Sequence, residues 1–590
     1  MFDYRRSYNC GTLNSQHINK EVTLSGWVNR RRDHGGLIFI DLRDRFGITQ
    51  LVFSPETSKN THDLAAKLRS EWVISIKGKV IPRSEGMTNS KMATGEIEVD
   101  VSQLEILSQA KTPPFSICDE QIEVNEEARL KYRYLDIRRG QIIDKLLMRH
   151  KAMLACRNFL DKENFTEVST PILSKSTPEG ARDYLVPSRI YPGNFYALPQ
   201  SPQIFKQLLM ISGMDRYFQI APCFRDEDLR ADRQPEFHQI DMEMSFGYPD
   251  DLFAIIEKMM AHIFSVCLGV NIPTPFMRMT YKDCMEKYGC DKPDLRFGMP
   301  LVRLDAVIEK SEFSVLKDVL KNGGVVKAFC VKNASDLSRR KVDDFASFVK
   351  PFGLAGVAWM RYTDEGLTSS ITKFFSKDLL DEIINQCDMQ KDDLLLIAGG
   401  SEGVVNQSLD HLRRHVARIK NLIPKNSYKF LWVTDFPLFT IDKETQNLAS
   451  EHHPFTSPLL EDLPLLDSKP LKMRSSSYDL VLNGYEMASG SQRIHDFSLQ
   501  RKIFQLLKLS EEDINRKFGY FISALQYGTP PHLGAAVGFD RLVMILCNTE
   551  NIRDVVAFPK TQKASDLMQE APSIASKEQL KELGIKVDTK

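Results

Sequence analysis

The sequence has no excess of charge of either sign, no paired cysteines and no long apolar run. Its 590 residues include 78 basic and 78 acidic side chains, so binding to a polyanion can rest only on a local patch. The ten cysteines include no C-x-x-C pair, which argues against structural zinc and a disulfide framework and favours a reducing compartment. No N-terminal apolar segment and no apolar run of about eighteen residues occur, which predicts a cytoplasmic protein without a membrane partner. No G-x-x-x-x-G-K-[ST] loop is present, which excludes a P-loop nucleotide site.

Residues 20–107 are typical of a small β-barrel. Five strand-like segments with one amphipathic helix near 61–69 predict a Greek-key barrel of the OB type, a fold that often binds oligonucleotides. The predicted strands are 22–28, 37–42, 49–53, 72–80 and 95–107. Three consecutive arginines near strand aromatics suit contact with phosphates and bases, although a solvated basic turn is an equal alternative. They are Arg30, Arg31 and Arg32.

A proline pair at 113–114 marks 108–140 as a linker. Its basic helical piece, 126–139, either touches a polyanion or is a solvated hinge helix. A long helix is predicted over 141–163, and a second one starts with Ser201 as N-cap and Pro202 in the first turn. Glycine-rich, mixed helices and strands over about 290–420 predict an inserted domain.

The most informative stretch is 224–246. Its first ten positions hold four acids and three arginines, which no apolar core accepts. The rest alternates like a strand, with His238, Ile240, Met242, Met244 and Phe246 on an apolar face. The opposite face carries Phe237, Gln239, Asp241, Glu243 and Ser245. From Phe237 to Asp241 is roughly 13 Å along a strand, about the length of an aminoacyl-adenylate. The alternative is an edge hairpin with a solvated charged face.

Three segments together carry a family resemblance: a long helix and strand ending at Pro171, the 224–246 stretch, and 534–541, GAAVGFDR. In this order they resemble motifs 1, 2 and 3 of the class II aminoacyl-tRNA synthetases, and specifically of the bacterial-type aspartyl-tRNA synthetases, over essentially the whole chain. No His-Ile-Gly-His signature of a class I site is present. The resemblance implies activation of L-aspartate with ATP, then transfer of aspartate to the 3′ end of tRNA(Asp).

The implied fold is α+β and multidomain: an OB-fold barrel, an antiparallel class II core with helices, and an inserted GAD-type α+β domain. The expected limits are 1–107 for the barrel, 108–140 for the hinge, 141–288 and 423–565 for the core, 289–422 for the insert and 566–590 for a C-terminal extension. The motif 1 resemblance implies a homodimer.

The resemblance also implies the site residues. The phosphate-binding arginines Arg225 and Arg541 act with Glu486 in catalysis. The expected ATP contacts are Arg225, Asp226, Glu227, Gln234, Phe237, Glu486, Gly538, Phe539, Asp540 and Arg541. The expected aspartate contacts are Glu179, Gln203, Lys206, Arg225, Asp241, His452, His453 and Arg493. Asp479 and Glu486 are the expected Mg²⁺ ligands, because hard oxygen ligands suit that ion.

Aspartate is expected to be chosen by charge. Lys206 and Arg493 would clamp its side-chain carboxylate, while Glu179, Gln203 and Asp241 receive its ammonium. An asparagine would leave two buried cations unneutralised, so rejection needs no editing. By themselves, a lone helical lysine is more often solvated and a His-His pair more often structural; the motif match reverses both interpretations.

The barrel is expected to read the anticodon, with Phe39 stacking on a base, Gln50 bonding to one and the three arginines on phosphates. Two positions, His34 and Gly86, differ from the leucine and lysine usual in enzymes strict for tRNA(Asp). They resemble the non-discriminating enzymes, which also charge tRNA(Asn) for a downstream amidotransferase. The alternatives are drift at two exposed positions in a discriminating enzyme, an asparaginyl or lysyl relative, and an inactive RNA-binding paralogue.

Overall fold

The computed structural model describes residues 2–119, 122–177 and 180–588. The chain divides into two compact units, each built from several stretches of sequence. The first is Met1–His150, Leu229–Gln234 and Val543–Ser576, and the second is Lys151–Asp228, Pro235–Leu542 and Lys577–Lys590. Within the described ranges, no helix has the length and apolarity to cross a membrane.

The first unit contains the predicted barrel. Its five strands close in the order β1-β2-β3-β5-β4, and alternate residues such as Leu24, Ile40 and Ile76 fill the interior. The OB-type prediction is confirmed. The strands are β1 (Glu21–His34), β2 (Leu37–Asp44), β3 (Gly47–Phe53), β4 (Val73–Pro82) and β5 (Ile97–Ser108), with α1 at Lys59–Ala65. Because β1 runs to His34, the arginine triplet lies on a strand and not in a turn.

Three helices follow the barrel: α2 (Glu126–Lys131), α3 (Arg133–Asp136) and α4 (Gly140–Lys162). The short basic helices are packed inward. Arg133 is 2% exposed, bonds to Asp136 at 2.5 Å and donates to the backbone oxygen atoms of Arg553 and Val556. This buried arginine therefore links α3 to residues 553–556 within the first unit. A solvated hinge helix would not contain such a buried, bonded arginine.

The second unit begins with the predicted motif 2 hairpin and its neighbours. The hairpin strands pair antiparallel, with Phe237 opposite Cys223 and Asp241 opposite Gln219. The elements are β6 (Thr166–Glu167), β7 (Leu185–Pro187), β8 (Phe195–Ala197), α5 (Gln203–Ile211), β9 (Arg216–Phe224), β10 (Glu236–Ser245), α6 (Pro249–Leu268), β11 (Met277–Thr280) and α7 (Tyr281–Tyr288).

A separate five-stranded antiparallel sheet follows, in the order β12-β13-β16-β14-β15. Alternate residues of its strands enter two apolar clusters: Leu396 packs with Phe345 and Leu409, whereas Ile397 packs with Val307 and Leu379. Helices therefore cover both faces. The elements are β12 (Leu301–Arg303), α8 (Asp305–Lys310), α9 (Ser314–Lys321), β13 (Val325–Val331), α10 (Arg339–Val349), β14 (Ala358–Thr363), β15 (Gly366–Thr368), α11 (Lys377–Gln386), β16 (Leu394–Gly400) and α12 (Glu402–Ile419).

The remaining strands complete an eight-stranded sheet in the order β11-β17-β20-β21-β22-β10-β9-β6, antiparallel except at its two outermost pairs. On one face, Phe253 of α6 stacks on Trp432 at 4.1 Å. The opposite face holds the candidate site. The elements are β17 (Phe430–Thr434), β18 (Phe439–Ile441), β19 (Leu448–Ser450), β20 (Ser477–Leu482), β21 (Tyr485–Gln492), α13 (Phe497–Leu506), α14 (Glu511–Ala524), β22 (His532–Gly538), α15 (Phe539–Leu546) and α16 (Lys577–Leu583).

Two local predictions were wrong. Strand β10 ends at Ser245, because Phe246 turns to φ 56° and is 73% exposed, so it does not join the apolar face. Helix α5 begins at Gln203 with Pro202 as its N-cap, and no side chain caps it. The serine signal therefore lay one residue too early.

Candidate active site

The strand register forms the floor of the site. Asp241 lies opposite Ala536, Ala536 opposite Ser489, and Ser489 opposite Asp479. Cross-strand partners share a face, so the two acids stand in one row, about 14 Å apart across three strand spacings. Only small side chains separate them. The floor is therefore open between two walls of charged residues, which suits an extended ligand.

A β-bulge brings Glu486 to the same face. Leu480 pairs with Ala488, but the next residue, Val481, pairs with Glu486, so Met487 is skipped. Without this bulge Glu486 would point to the opposite face from Asp479. Burial, followed by the charge of Asp479, raises the pKa of Glu486. The buried Asp479 and the half-buried Glu486 thus form an acid pair that a cation would stabilise.

The pair passes a simple fit test for Mg²⁺. The Oδ1 atom of Asp479 is buried and makes no hydrogen bond with the part of the chain that is described. Across that same part, no group of three or more His, Cys, Asp or Glu side chains is arranged around a metal position. Magnesium is commonly held by one or two carboxylates together with phosphate oxygen atoms, so these residues suit it when a nucleotide triphosphate is bound.

At the other end of the row lies a buried network of two cations and two acids. Lys206, 2% exposed on α5, has its Nζ 3.0 Å from Asp241 Oδ2 and 3.4 Å from Glu243 Oε2. Arg493 donates to both Glu243 oxygen atoms, at 2.8 and 3.1 Å. Burial acts to raise the pKa of Glu243, but Arg493 and Lys206 outweigh it and hold that pKa below its usual value.

Glu243 is the site residue that the sequence analysis missed as a functional group. It also explains Gly534: a Cβ at this glycine would lie 1.9 Å from Glu243 Oε2. The small residues of the 534–541 motif therefore leave room for an acid that orients both cations. Because both cations are already paired, the expected basis of selectivity was too simple. An asparagine would meet a hydrogen-bond mismatch, not two unneutralised charges.

Of the two predicted histidines, His453 lies at this network and His452 beside the acid pair, and their pKa values shift in opposite directions. Nη1 of Arg493 is 2.9 Å from Nε2 of His453, and burial together with Arg493 holds the pKa of His453 well below its usual value. Nε2 of His452 lies 3.9 Å from Asp479 Oδ1. Burial opposes its charged form, yet Asp479 raises the pKa of His452. His453 is therefore a neutral neighbour of the cations, and His452 belongs with the acid pair.

Two buried polar atoms in this pocket have no hydrogen-bond partner among the described residues: Oδ1 of Asp241 and Nε2 of Gln203. Such atoms are costly unless a ligand or water satisfies them. Asp241 Oδ1 suits a ligand ammonium, as expected. Gln203 offers a donor, which suits a carboxylate, and would face an ammonium only with its amide turned.

Two arginines, Arg225 and Arg541, were expected to contact the nucleotide. The Arg225 guanidinium lies 5.1 Å from the centre of the Phe237 ring, within cation–π range. Its backbone N–H donates to Pro235, which closes the hairpin loop. Arg541, in the first turn of α15, donates from Nη1 to the backbone oxygen of Glu486. Hence Arg541 is fixed beside the acid pair, while Arg225 and Phe237 are neighbours on the β9–β10 hairpin.

Other predicted contacts have structural partners. Asp540 accepts from the backbone N–H of His238 at 2.6 Å, and Phe539 is fully buried. Asp226 lies 3.5 Å from Arg182. Gln234 bonds to the backbone of Lys560 through both ends of its amide. Glu227 is half-buried in the hairpin loop and Gly538 lies opposite Gln239, while the predicted Glu179 lies outside the described residues.

In the first unit, Arg30, Arg32, Phe39 and Gln50 share the outer face of the barrel, whereas Arg31 lies opposite the interior residue Ile40 and so on the other face of β1. Phe39 is half-buried and lies opposite Arg32. Arg32 bonds to Asp41 at 2.8 Å and Gln50 at 3.1 Å. The amide of Gln50 continues to Glu98 at 2.7 Å. An aromatic ring beside a chain of polar groups can stack on and bond to an unpaired base. The neighbouring Arg31 pairs with Asp33 at 2.8 Å, and Arg30 is exposed.

His34 and Gly86 are both exposed. His34 ends β1, next to the Gly35–Gly36 turn. Gly86 has φ 77°, and a Cβ there would meet nothing within 4 Å. A side chain at 86 has room but would occupy the left-handed region, which costs roughly 1–2 kcal/mol.

Asp241 gives the site a predicted pH dependence. Burial raises the pKa of Asp241 to about 6, although Lys206 opposes the shift. Its charge is therefore lost as the pH falls through about 6, and with it the acceptor for an ammonium. We expect kcat/KM for the amino acid to rise about tenfold from pH 5 to pH 7, since this ratio reports groups of the free enzyme. In the Asp241→Asn variant, kcat/KM for the amino acid should be low and should not rise between pH 5 and pH 7. A pH profile identical to that of the wild type would contradict the assignment of Asp241 as the ammonium acceptor.

The chain matches two sequence models of known families. Residues 22–107 match the OB-fold nucleic acid binding domain, and residues 125–562 match the tRNA synthetases class II (D, K and N). The architecture agrees with solved class II synthetases: an asparaginyl-tRNA synthetase of Pyrococcus horikoshii with asparaginyl-adenylate has a TM-score of 0.58 at 19% identity, covering 94% of this chain and 98% of that one. A putative aspartyl-tRNA synthetase of Leishmania major Friedlin has a TM-score of 0.56 at 18% identity, covering 92% of each chain.

Curated relatives are much closer in sequence. An aspartate–tRNA(Asp/Asn) ligase of Protochlamydia amoebophila is 63% identical over 587 residues, covering 100% of this chain and 98% of that protein. One from Chlamydia muridarum is 58% identical over 582 residues, covering 99% and 100%. The fold and the site are those of a class II aminoacyl-tRNA synthetase. The chain belongs to the tRNA synthetases class II (D, K and N).

Proposed function

We propose that the chain is an aspartate–tRNA ligase that charges both tRNA(Asp) and tRNA(Asn). The observation that carries the amino-acid choice is the buried network of Lys206, Asp241, Glu243 and Arg493, in the same row as the acid pair. The choice of tRNA rests on His34 and Gly86. A relative of the same name at 63% identity over the whole chain supports it.

The first step forms aspartyl-adenylate. An oxygen of the aspartate α-carboxylate bonds to the α-phosphorus of ATP, the bond to the α–β bridging oxygen breaks, and pyrophosphate leaves with its electron pair. Negative charge builds around phosphorus, so fixed cations matter more than a general base. Arg225 holds the α-phosphate and the substrate α-carboxylate, Phe237 stacks on adenine, and Arg541 caps the nucleotide from the other side.

Asp479 and Glu486 would hold Mg²⁺, which neutralises phosphate charge when ATP is bound. The substrate side chain meets Lys206 and Arg493, whose orientation Glu243 fixes. Asp241 and Glu179 receive the ammonium, and the two histidines border the pocket. In the second step the ribose hydroxyl at the tRNA 3′ end attacks the aspartyl carbonyl and AMP leaves.

The barrel reads the anticodon through Phe39 and Gln50, with Arg30, Arg31 and Arg32 on phosphates. We also propose the domain limits given above, a homodimer and a cytoplasmic location. A downstream amidotransferase would convert aspartyl-tRNA(Asn).

ATP–pyrophosphate exchange screened over all amino acids tests which amino acid is activated. Aspartate should dominate, and exchange driven by asparagine or lysine instead would refute the proposal.

The relaxed tRNA choice makes a separate prediction. In the double variant His34→Leu, Gly86→Lys we expect charging of tRNA(Asn) to fall about 5- to 150-fold relative to tRNA(Asp), since one base readout is worth about 1–3 kcal/mol. Gly86→Ala is the matched control, because it imposes the same backbone strain without the ammonium group. Equal loss with both tRNAs, or in the control, would show that these positions do not govern the choice.

A further inference from the structure

His532 is the first residue of β22, and its side chain is completely buried. It lies opposite Ser245 in the ladder with β10, two residues before Gly534. Because residues two apart on a strand share a face, the His532 ring lies on the face that carries the site. Gly534 is the residue that leaves room for Glu243. The histidine therefore stands at the edge of the buried network of two cations and two acids.

The backbone of His532 is bonded to one of the two cations. Its carbonyl oxygen accepts from the backbone N–H of Arg493 at 3.0 Å. The guanidinium of Arg493 in turn donates to the backbone oxygen of Gly534 at 3.3 Å. The start of β22 thus holds both ends of Arg493. The bond to the His532 backbone does not depend on which side chain stands at position 532.

The side chain of His532 reaches the other cation's helix. Its Nδ1 lies 2.8 Å from the backbone oxygen of Pro530, and its Nε2 lies 3.1 Å from Oε1 of Gln207. A backbone oxygen only accepts, so Nδ1 carries a proton. Burial lowers the pKa of His532, although Glu243 opposes the shift, which favours the neutral ring. Nε2 is then an acceptor, and the Gln207 amide is turned so that its nitrogen donates to the ring.

Gln207 is fully buried and directly follows Lys206 on α5. No side chain caps the start of this helix. Its apolar side packs through Ile204 against Phe455 and Phe504. Such contacts hold the helix to the core but are not directional, so they leave it free to slide or turn by a fraction of an ångström. The hydrogen bond to His532 is directional and fixes α5 next to Lys206.

These two bonds connect the carriers of both cations. Lys206 Nζ lies 3.4 Å from Glu243 Oε2, and Arg493 Nε donates to Glu243 Oε1 at 2.8 Å. His532 bonds to Arg493 through its backbone and to the neighbour of Lys206 through its ring. The separation of the two cations therefore depends on the length of this one side chain and its bond to Gln207.

We propose that His532 and Gln207 are positioning residues whose hydrogen bond sets the separation of Lys206 and Arg493 for the side-chain carboxylate of aspartate. The inference rests on the proposed function, because it assigns these cations to that carboxylate. A neutral ring suits the role, since it adds no third positive charge to a network in which two cations balance two acids. A carboxylate offers two oxygen atoms at a fixed spacing, so cations at the wrong separation would engage only one of them.

Two variants of His532 separate positioning from packing. Asparagine keeps a donor near the place of Nδ1 but is too short to reach Gln207, whereas glutamine reaches about as far as Nε2. In His532→Asn we expect KM for aspartate in ATP–pyrophosphate exchange by the full-length chain to rise about 10- to 100-fold, the loss that a shift of roughly 1 Å can cause. KM for ATP should stay unchanged, and His532→Gln should recover most of the loss.

Gln207→Met removes the same bond from the other side and should show the same pattern of KM values. Combined with His532→Asn it should add little, because both changes break one contact. Gln386→Met is the matched control: it removes another helical amide, which donates to the backbone oxygen of Arg303, and should behave as wild type. A melting temperature for each variant shows whether it folds. If neither His532 variant folds, Gln207→Met decides the test by the same results.

An unchanged KM for aspartate in His532→Asn and Gln207→Met, with normal wild-type exchange, would overturn this inference alone. A wild-type chain without aspartate-dependent exchange would overturn the proposed function and this inference with it. The inference would also fall if KM for ATP rose as much as that for aspartate, if glutamine at 532 were no better than asparagine, or if the losses were additive. His532 would then serve only the stability of the sheet.

Discussion

Replacing Arg225 by alanine should reduce aspartate-dependent ATP–pyrophosphate exchange by about a thousandfold, the upper range for one preorganised donor at a developing charge. Arg225 lies 5.1 Å from the centre of the Phe237 ring on the β9–β10 hairpin, so its loss would remove the proposed phosphate contact and disturb the ring that we propose stacks on adenine. Exchange measured at saturating aspartate and ATP should stay low, because the interaction strengthens in the transition state.

The matched control is Arg230→Ala, an exposed arginine five residues on, which should exchange at the wild-type rate. Binding of tRNA to the Arg225→Ala variant should be nearly unchanged, since we propose that the barrel, and not this hairpin, makes the anticodon contacts. Exchange close to wild type in Arg225→Ala would contradict the assignment. It would show that Arg225 is not the arginine that stabilises the charge developing at the α-phosphate.

The second large effect is expected at Arg493. In Arg493→Met, kcat/KM for aspartate should fall about 30- to several-thousandfold, because truncating one member of a buried charge pair costs about 2–5 kcal/mol. KM for ATP should change little, since Arg493 contacts Glu243, Ser491 and His453 and belongs to the amino-acid pocket. Steady-state exchange with each substrate varied in turn measures both values.

This variant leaves Glu243 buried beside Lys206 alone, so its free energy of unfolding should also drop, by about 3–5 kcal/mol. Glu243→Gln combined with Arg493→Met removes the uncompensated charge. The double variant should regain much of the lost stability without regaining aspartate activity. Recovery of aspartate activity in the double variant would show that Arg493 acts on folding and not on the substrate.

The sequence could predict features that depend on neighbouring residues, but not contacts between residues far apart in the chain. Strand periodicity is local, so it correctly set Phe237 and Asp241 on one face of β10. It extended that strand to Phe246 because the pattern continues there, although the backbone turns at φ 56°. The barrel was predictable for the same local reason, although β1 ends six residues later than expected, at His34.

Contacts between distant residues could not be predicted this way. Glu243 and Arg493 are 250 positions apart, and their pairing needs the register of three strands, β10, β22 and β21. The placement of Glu486 depends on a bulge that no local pattern announces. The family motifs predicted which residues belong to the site, whereas their hydrogen-bond and ion-pair partners became visible only in the folded structure.

Aspartylation of two purified transcripts, tRNA(Asp) and tRNA(Asn), by the wild-type chain tests the central claim most directly. We expect aspartate on both, with kcat/KM values within about tenfold of each other, because the last anticodon base is not read strictly. A tRNA(Asn) value about a thousandfold lower than that for tRNA(Asp) would contradict the relaxed specificity. Absence of aspartate from both transcripts would contradict the proposed function itself.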